Sequence, residues 1–382
     1  MAVRHLVGVD IGSKYIKAVQ ISQSSGQCKV TEFGIVEISP QLSVSDTLND
    51  LFSKKNFKTK RVVSAVSGRF VFVRYISMPV MTDEELVNAA KYELGKYIPV
   101  EVDEVLHDSQ KLEELVAQGG QEPEMRVLLV AAKRTFIDEH VTLLEAAGLQ
   151  PAIVDVDSFA LGNAYELSGT INPQAIAPGK LVALVDIGAS KTNINVMSDT
   201  LSYFTREFYK GGDDLTDSIS KKLSLETREA ENLKRNVTDA GDRGPRAPSE
   251  TDPGNMPILM LSEEDARKLK GESSRRPAGG DTDRVQECVS SVIEDICHDI
   301  NISIDYFENQ YDKKVEEVYI TGGASNTAGL RETLERTVQK PVNKWNPIGY
   351  MELELSRDSA QEIQDNPSQS AIALGLAARI VG

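Results

Sequence analysis

The feature that most constrains this chain is a short turn sequence that occurs twice. VGVDIGSK runs from Val7 to Lys14, and LVDIGASK runs from Leu184 to Lys191. Each copy follows a β-rich run, turns at a glycine, and leads into a second and a third strand-like run. The sequence therefore predicts one antiparallel meander written twice, in an α/β fold whose two duplicated halves face each other across a cleft.

Composition narrows the classes of function. At 382 residues the chain is too long for one ordinary core. Its net charge of −16 repels DNA phosphates and anionic lipid headgroups. The three cysteines and four histidines show no disulfide or metal-ligand spacing, the chain starts without a signal-peptide pattern, and no apolar run approaches the ~18 residues of a membrane span. We expect a cytoplasmic protein that binds no nucleic acid and does not itself insert into a membrane.

Helix signals lie between the two copies. Thr82 with Glu85 three residues later is a capping-box pattern before the run DEELVNAAKYEL. Further on, EMRVLLVAAK reads as a strand, and the helix after it stops at Gly148. The stretch from about 73 to 148 therefore reads as a compact insert.

After the second copy, a helix opened by Asp213 or Asp214 and a long helix from Val285 to about Asn309 are predicted from apolar spacing. The stretch from Thr238 to Pro257 is rich in glycine and proline and nearly lacks large apolar residues. Such a composition predicts a flexible loop.

The repeated turns suggest phosphate binding. Glycine lets the backbone approach a ligand, so that peptide N–H groups point at phosphate oxygens, and Ser13, Ser190 and Thr192 add hydroxyl donors. Asp10 and Asp186, at the ends of the preceding strands, are placed to hold a hydrated Mg²⁺. One such turn alone is usually only a turn, but the repetition favours two hairpins that hold one nucleotide, and neither copy fits a P-loop.

Three other elements extend this pattern. In VYITGGASNTAGL, Gly322 and Gly323 follow a strand and precede a helix that Asn326 or Thr327 is expected to cap; bare backbone there can lie against a base or ribose, or simply form a tight turn. A similar pair, Gly211 and Gly212, opens a helix whose dipole favours anions. Glu231 and Lys234 lie three apart on one helical face, suited to ribose hydroxyls or to an ordinary solvated contact.

In this order the motifs DIGS, DIGASKTNINV, GGDDLT with AENLK, and TGGAS resemble the phosphate-1, phosphate-2, ribose and adenosine motifs of the actin, hexokinase and DnaK ATPase superfamily. The resemblance implies that ATP and Mg²⁺ are the cofactors, with Asp10 and Asp186 at the metal and Asp186 as a candidate catalytic group. The implied nucleotide-binding residues are Gly12, Ser13, Lys14, Lys17, Gly188, Ser190, Lys191, Thr192, Asn193, Gly211, Gly212, Glu231, Lys234, Gly322, Gly323, Ala324 and Asn326.

Within that superfamily, the insert VFVRYISMPVMTDEELVNAAKYELGKYIPVEVDEVLHDSQKL resembles subdomain 1C of the type IV pilus assembly protein PilM family, which is similar to the cell-division protein FtsA. DVDSFALGNAYE and SQSAIALGLAARI resemble further PilM segments. The resemblance implies an actin-like ATPase fold with an FtsA-type 1C subdomain. The implied subdomains are 1A (1–72, 149–178 and 351–382), 1C (73–148), 2A (179–212 and 285–350) and 2B (213–284, with a flexible insertion at about 238–284).

The resemblance also implies that the protein is a cytoplasmic ATP-binding adaptor. Its implied partner is the N-terminal peptide of PilN, which binds near subdomains 1A and 1C and holds the adaptor at the inner membrane. Other pilus platform or motor proteins are further possible partners. The resemblance implies weak or no ATP turnover. Lys14 and Lys191 depart from the small hydroxyl residues usual at these turn positions, so they either add phosphate contacts or are solvated.

Two alternatives stay open. One is an FtsA-like filament or membrane tether, although the chain ends in AARIVG without a basic amphipathic helix. The other is a small-molecule kinase of the same superfamily, which would need an acceptor site where the insert stands.

Overall fold

The fold is taken from a computed structural model that describes residues 3–24, 26–115, 122–173, 176, 179–242 and 279–380. Most of the range predicted as a flexible insertion, about 238–284, lies outside these residues. None of the helices in the described ranges is both long and apolar enough to cross a membrane.

The first half is built on a six-stranded sheet. β1, β2 and β3 form the predicted antiparallel meander, and β4 and β8 extend the sheet in parallel with β1. The strand order is β14-β3-β2-β1-β4-β8. The strands are β1 Arg4–Ile11, β2 Tyr15–Ser24, β3 Gln27–Glu37, β4 Arg61–Val66, β8 Gln150–Val156 and β14 Glu352–Leu353.

The second half repeats this arrangement in a five-stranded sheet. The second meander again supplies three antiparallel strands, and β9 pairs in parallel with β12, as β1 does with β4. The strand order is β11-β10-β9-β12-β13, which confirms the predicted duplication. The strands are β9 Val182–Ile187, β10 Thr192–Ser198, β11 Leu201–Phe208, β12 Glu317–Thr321 and β13 Val342–Lys344.

Helices cover both sheets and fill the space between them. Two of them, α4 and α10, pack together so closely that a Cβ at Gly375 would lie 1.7 Å from the carbonyl oxygen of Ala160. Side chains from both sheets and both helices share one core, which joins the two halves. The helices are α1 Val44–Lys54, α2 Asp83–Leu94, α3 Arg134–Ala146, α4 Asp157–Ile171, α5 Gly212–Leu223, α6 Thr227–Asp242, α7 Gly279–Tyr311, α8 Leu330–Val338, α9 Arg357–Asp365 and α10 Ala371–Ala377.

The insert has a three-stranded sheet of its own, ordered β5-β7-β6. Its helix α2 starts with the predicted capping box between Thr82 and Glu85. The insert contacts the second half, because the Tyr75 hydroxyl lies 2.8 Å from Ser202 Oγ. The strands are β5 Val71–Pro79, β6 Val105–Leu115 and β7 Glu124–Lys133. Helix α3 buries Leu144 in the core of the first sheet, and the subdomain boundary at 148 stays a prediction.

Several predicted helix ends were wrong. Helix α5 begins at Gly212 rather than at Asp213 or Asp214, because the Asp214 carboxylate reaches back to the N–H of Gly211 at 2.8 Å. Neither Asn326 nor Thr327 caps α8; both belong to a 3₁₀ turn region, and α8 starts after a left-handed Gly329. Helices α6 and α7 also extend into the range 238–284: α6 ends at residue 242, and α7 begins at residue 279.

Candidate functional site

Two tight glycine turns lie at the carboxyl ends of β1 and β9. Gly12 N–H donates to the Tyr15 carbonyl at 3.0 Å, and Gly188 N–H donates to the Lys191 carbonyl at 2.9 Å. A Cβ would lie 2.9 Å from the first of these carbonyl oxygens and 3.1 Å from the second. A side chain would thus be crowded in both turns, more severely at Gly12 than at Gly188, and the two copies share the same hydrogen bond.

The first turn carries a charged pair. Asp10 and Lys17 are cross-strand partners in the β1–β2 ladder, and Lys17 Nζ lies 2.9 Å from Asp10 Oδ2. A Cβ at Gly12 would lie 3.0 Å from the same Nζ atom. Lys17 therefore places a positive charge directly beside the glycine turn.

The second turn brings Asp186 to the same place. Burial and the nearby Asp10 carboxylate raise the pKa of Asp186 to about 6, while Lys17 opposes this shift. The two predicted metal ligands, one from each half, thus interact electrostatically across the cleft. A divalent cation would relieve the repulsion between two such carboxylates.

The two carboxylates of Asp10 and Asp186 suit Mg²⁺ better than a metal ion that is coordinated by protein groups alone. Within the described ranges, no three or more His, Cys, Asp or Glu side chains are grouped so as to hold a metal ion. Mg²⁺ is usually bound by one or two carboxylates, with water and substrate phosphate oxygens completing its shell. Asp10 and Asp186 suit that chemistry.

Lys191 is engaged in ion pairs in this structure. Its Nζ lies 2.5 Å from Asp157 Oδ2 and 3.2 Å from Glu207 Oε2, and it also donates to Ser67 Oγ. Burial alone would lower the pKa of Lys191, but Asp157 and Glu207 outweigh it and raise the pKa above its usual value. Lys191 thus ties the second turn to α4 and to the connection between β4 and β5.

Lys14 is also engaged in an ion pair. Its Nζ lies 3.0 Å from Glu231 Oε1 on α6, and Glu231 also contacts Lys234 at 2.8 Å and Arg235 at 2.9 Å. Burial would raise the pKa of Glu231, but Lys234 and its other donors hold the pKa well below the usual value. The predicted ribose pair is therefore a partly buried ion cluster that links the first turn to the second half.

Tyr15 adds to this link. Its hydroxyl accepts a hydrogen bond from Arg235, whose guanidinium lies 5.5 Å from the centre of the Tyr15 ring. We call the contacts of Lys14 and Tyr15 with Glu231 and Arg235 the cleft latch, because they join the two halves across the cleft.

The glycine pair at the start of α5 serves the second turn. Gly212 N–H donates to the Gly188 carbonyl at 2.9 Å, and Asp213 N–H donates to the Ala189 carbonyl at 2.8 Å. A Cβ at Gly211 would lie 2.6 Å from either of these carbonyl oxygens. These helix N–H groups, which the sequence suggested for an anion, are used to hold the second turn.

The third glycine element lies against the second turn as well. Gly322 has a φ of +88°, and a Cβ there would lie 2.6 Å from Asp186 Oδ1. A 3₁₀ turn follows and carries Gly323, Ala324 and Asn326, with Asn326 Nδ2 donating to Ser368 Oγ at 3.1 Å. The predicted adenosine motif therefore meets Asp186 directly.

The hydroxyl and amide residues of the turns face different ways. Ser13 is exposed and Ser190 is half-buried, whereas Thr192 is buried and donates to the Lys210 carbonyl at 2.8 Å. Asn193 is buried next to Asp186 in the β9–β10 ladder. The Thr192 hydroxyl is thus used within the fold, whereas Asn193 lies beside Asp186.

Asp157, Ser67 and Glu207 were missed as site residues. Ser67 follows β4, and Asp157 follows β8, both of which run parallel to β1. The carboxyl ends of parallel strands are where such sheets bind ligands, so a polar residue just after each strand was the available signal. Glu207 carried no comparable signal, because it lies within an antiparallel strand.

A second polar cavity of about 770 Å³ lies elsewhere, at the opposite end of β1 from Gly12. Its lining includes His5, Ser22 and Lys55. Lys55 is paired with Glu362 at 2.8 Å, so its charge is already balanced within the cavity wall.

Two sequence families match this chain. The profile of the type IV pilus assembly protein PilM family matches residues 8–242, and that of the cell division protein FtsA family matches residues 183–373. Among curated proteins, cell division protein FtsA of Streptococcus pneumoniae serotype 2 is 25% identical over 263 residues, which are 61% of this chain and 56% of that protein. The chain thus spans about half the length of this curated relative.

Solved structures agree on the fold. A PilM-PilN type IV pilus biogenesis complex matches with a TM-score of 0.74 and 22% identity, covering 99% of this chain and 98% of that one. The ethanolamine utilization protein EutJ from Carboxydothermus hydrogenoformans matches with a TM-score of 0.50 and 14% identity, covering 99% and 90%. At these identities the likeness concerns the fold alone, and that fold is the expected actin-like ATPase fold.

Proposed function

The chain belongs to the type IV pilus assembly protein PilM family, and from that premise we propose that it is a nucleotide-binding adaptor of the pilus assembly machinery. The observation that carries this proposal is the meeting of the two duplicated glycine turns, with Asp10 and Asp186 close enough for their charges to interact. The proposed ligand is ATP with Mg²⁺.

Each half would hold the nucleotide from its own side. The Gly12 and Gly188 turns would offer backbone N–H groups to phosphate oxygens, with Lys17 supplying positive charge beside the first turn. Asp10 and Asp186 would hold the cation together with water and phosphate oxygens. When bound, Mg²⁺ would neutralise phosphate charge and the charges of both carboxylates.

Weak or absent hydrolysis is part of the proposal. Hydrolysis needs a group that orients or deprotonates water near the terminal phosphate. Asp157, the carboxylate that opens α4, is held in an ion pair with Lys191 at 2.5 Å. Asp186, with its pKa near 6, is the remaining candidate base.

The second part of the proposal is that the insert and the first half receive the N-terminal cytoplasmic peptide of PilN. The insert exposes apolar side chains suited to a peptide, such as Val87 on α2 at 62% exposure and Tyr92 at 74%. By contrast, Tyr75 contacts the second half and Met78 is in the core of the insert, so neither is free to bind. Through such a peptide the protein would sit in the cytoplasm at the inner membrane.

The nucleotide part is tested by calorimetric titration of Mg·ATP into the full chain and into Asp10→Ala and Asp186→Ala. We expect at least about tenfold weaker binding in each variant, the effect of losing one charged contact. Circular dichroism shows whether each variant is folded. Unchanged affinity in folded variants would refute the site.

The peptide part is tested separately by fluorescence anisotropy, with a labelled synthetic PilN N-terminal peptide and a scrambled control. Tyr92→Ser on the exposed face of α2 is expected to weaken binding, whereas Ile302→Ser, at an exposed site on the second half, should not. Equal binding of both peptides by the protein would contradict specific recognition.

An FtsA-like filament-forming ATPase is the second candidate, supported by the match of the FtsA profile to residues 183–373. Sedimentation at high protein concentration with and without ATP separates the two. ATP-dependent pelleting favours the filament, and a soluble species with bound nucleotide favours the adaptor. Phosphoryl transfer to sugars would instead support a kinase.

A further inference from the structure

The polar cavity of about 770 Å³ at the opposite end of β1 from Gly12 has the size of a ligand site. One wall is the end of α1 and the residues that follow it, up to Lys58, and the other is the first half of α9. The end of the first sheet forms its floor. We call it the basal cavity. Its volume lies within the range of about 300 to 1,000 Å³ that is typical of small-molecule sites.

The strand register turns polar side chains of the first sheet toward the basal cavity. His5, Ser22 and Lys29 are direct partners across β1, β2 and β3, so their side chains share one face of the sheet. It is the face on which α1 packs, because Val7, two residues after His5, lies in one core cluster with Leu48 of α1. The three polar side chains therefore face the cavity that they line.

A buried carboxylate lies in the floor. Glu32 on β3 lines the basal cavity and is 4% exposed. It accepts hydrogen bonds from Phe33 N–H and Asn56 N–H, both at 3.0 Å, and from the Ser359 hydroxyl. These three donors are all neutral groups. Because a buried charge is normally balanced by a charge of opposite sign, Glu32 indicates a need for a cation nearby.

A second carboxylate has an oxygen without a donor. Glu362 on α9 also lines the basal cavity, and its Oε1 lies 2.8 Å from Lys55 Nζ. Its Oε2 is buried and accepts no hydrogen bond from any residue that the structure describes. A buried polar atom without a partner is costly, so the site lacks a hydrogen-bond donor.

One ammonium group serves both carboxylates. Lys55 Nζ contacts Glu362 directly and lies 3.3 Å from Ser359 Oγ, which in turn donates to Glu32. Two carboxylates and one ammonium leave the inner end of the basal cavity with an excess negative charge. A ligand that brings one positive charge and N–H donors would correct both deficits.

The lysines at the rim do not reverse this sign, because carboxylates match them. Lys29 Nζ lies 2.7 Å from Glu352 Oε1, and Lys54 Nζ lies 2.6 Å from Asp50 Oδ2. The other lysine and carboxylate residues of the rim are Lys58, Glu354 and Asp358. The rim therefore adds no excess of positive charge that would favour an anion.

We propose that the basal cavity binds the guanidinium group of an arginine, with Glu362 as its acceptor and Glu32 as a second negative charge. Guanidinium is more weakly hydrated than ammonium, so it loses less on leaving water. Its five N–H donors also suit a wall in which the hydroxyl oxygens of Ser22 and Thr31 lie near the carboxylates. The arginine is either the free amino acid or a residue of a partner protein. This site does not rest on the proposed nucleotide function.

The probe is L-arginine, titrated into the full chain without nucleotide by calorimetry at low ionic strength, where charges are screened least. L-citrulline is the matched control ligand, because its side chain has nearly the same shape and no charge. We expect L-citrulline to bind at least about tenfold more weakly, as for the loss of one charged hydrogen bond. If the wild type binds no L-arginine, or binds both ligands equally, the cavity holds only water and the proposal is wrong.

Variants locate the binding. Glu362→Gln is expected to weaken L-arginine binding at least about tenfold, whereas Asp365→Asn, at an exposed position of the same helix, should leave it unchanged. Lys55→Met removes the competing ammonium and keeps an apolar stem, so it should tighten binding several-fold. Unchanged binding in Glu362→Gln would refute the site. Equal or weaker binding in Lys55→Met, with the fold verified by circular dichroism, would contradict the charge argument.

A third ligand, N-acetyl-arginine amide, identifies the source of the arginine. It carries the guanidinium group without the terminal charges, as an arginine within a polypeptide does. If it binds at least as tightly as L-arginine, the occupant is an arginine of a partner protein. If it binds more weakly, the occupant is the free amino acid. Either result supports the guanidinium site.

Discussion

Replacing Asp186 with asparagine is expected to stabilise the folded protein at neutral and alkaline pH. Asp186 lies at the end of β9, where burial and the Asp10 carboxylate raise its pKa from 3.8 to about 6. A carboxyl group whose pKa is higher in the folded state than in the unfolded state opposes folding once it is ionised. Asparagine keeps the shape of the side chain and cannot ionise.

The size and pH range of the effect follow from the two pKa values. Below about pH 4 the carboxyl group is protonated in both states, so the substitution changes little. Between about pH 4 and 6 the wild-type protein loses stability as the group ionises. Above that range the penalty is complete, and each pKa unit corresponds to about 1.4 kcal/mol, so Asp186→Asn gains up to about 3 kcal/mol.

The assay is urea unfolding of the wild type and the variant at pH 4, 6 and 8, followed by circular dichroism without nucleotide or divalent cation. The difference between the two free energies of unfolding removes the contribution of all other carboxylates. Asp10→Asn is the companion variant: it removes the neighbouring charge and keeps the burial, so it should move the pH range of Asp186 downward.

An equal free energy of unfolding for the wild type and Asp186→Asn at all three pH values would refute the reasoning. The reasoning would also be refuted if the free energy of unfolding of Asp186→Asn, taken relative to that of the wild type, were lower at pH 8 than at pH 4. Either result would mean that Asp186 is stabilised as an anion in the folded protein.

Two further substitutions test the geometry of the site by urea unfolding. Gly322→Ala is expected to lower the free energy of unfolding by at least about 1 kcal/mol more than Gly26→Ala does. Both glycines have positive φ, but a Cβ at Gly322 would lie 2.6 Å from a carboxylate oxygen, whereas a Cβ at Gly26 would meet open space. Equal losses of stability would contradict the crowding at Gly322. Glu231→Gln should lower the free energy of unfolding by about 2 kcal/mol, because three cations lose the carboxylate that they share. The control Glu229→Gln, at an exposed position of the same helix, should change it by less than about 0.5 kcal/mol. Hydrogen exchange in α6 should become faster in Glu231→Gln but not in Glu229→Gln, because only the first substitution opens the cleft latch.

Much of the fold could be predicted because its signals are local. The strand meanders, the capping box of α2 and the glycine turns all depend on residues within a few positions of one another. The missed boundaries arose where tertiary contacts replaced local ones. Helix α5 starts early because the Asp214 carboxylate accepts from Gly211 N–H and the first helical N–H groups bond to the second turn. Helix α8 starts late because a 3₁₀ turn intervenes.

The candidate site was predicted less completely, for a related reason. Gly12, Gly188 and Gly322 were identified because small residues in tight turns are visible in a sequence, and the structure shows close contacts at all three. The partners of Lys14 and Lys191 were not, since Glu231 and Asp157 lie far away along the chain. Nothing local distinguishes a paired lysine from a solvated one.

By itself the sequence determined that two equivalent turns exist, that each needs glycine, and that an acidic residue precedes each of them. Only the tertiary structure decided how the charges are used: Asp10 and burial disfavour the ionised form of Asp186, both turn lysines are bound in ion pairs, and Asn193 lines a cavity. Turn geometry depends on bonds and near neighbours, whereas the energy of a charge depends on burial and on groups that the closing of the two halves brings together.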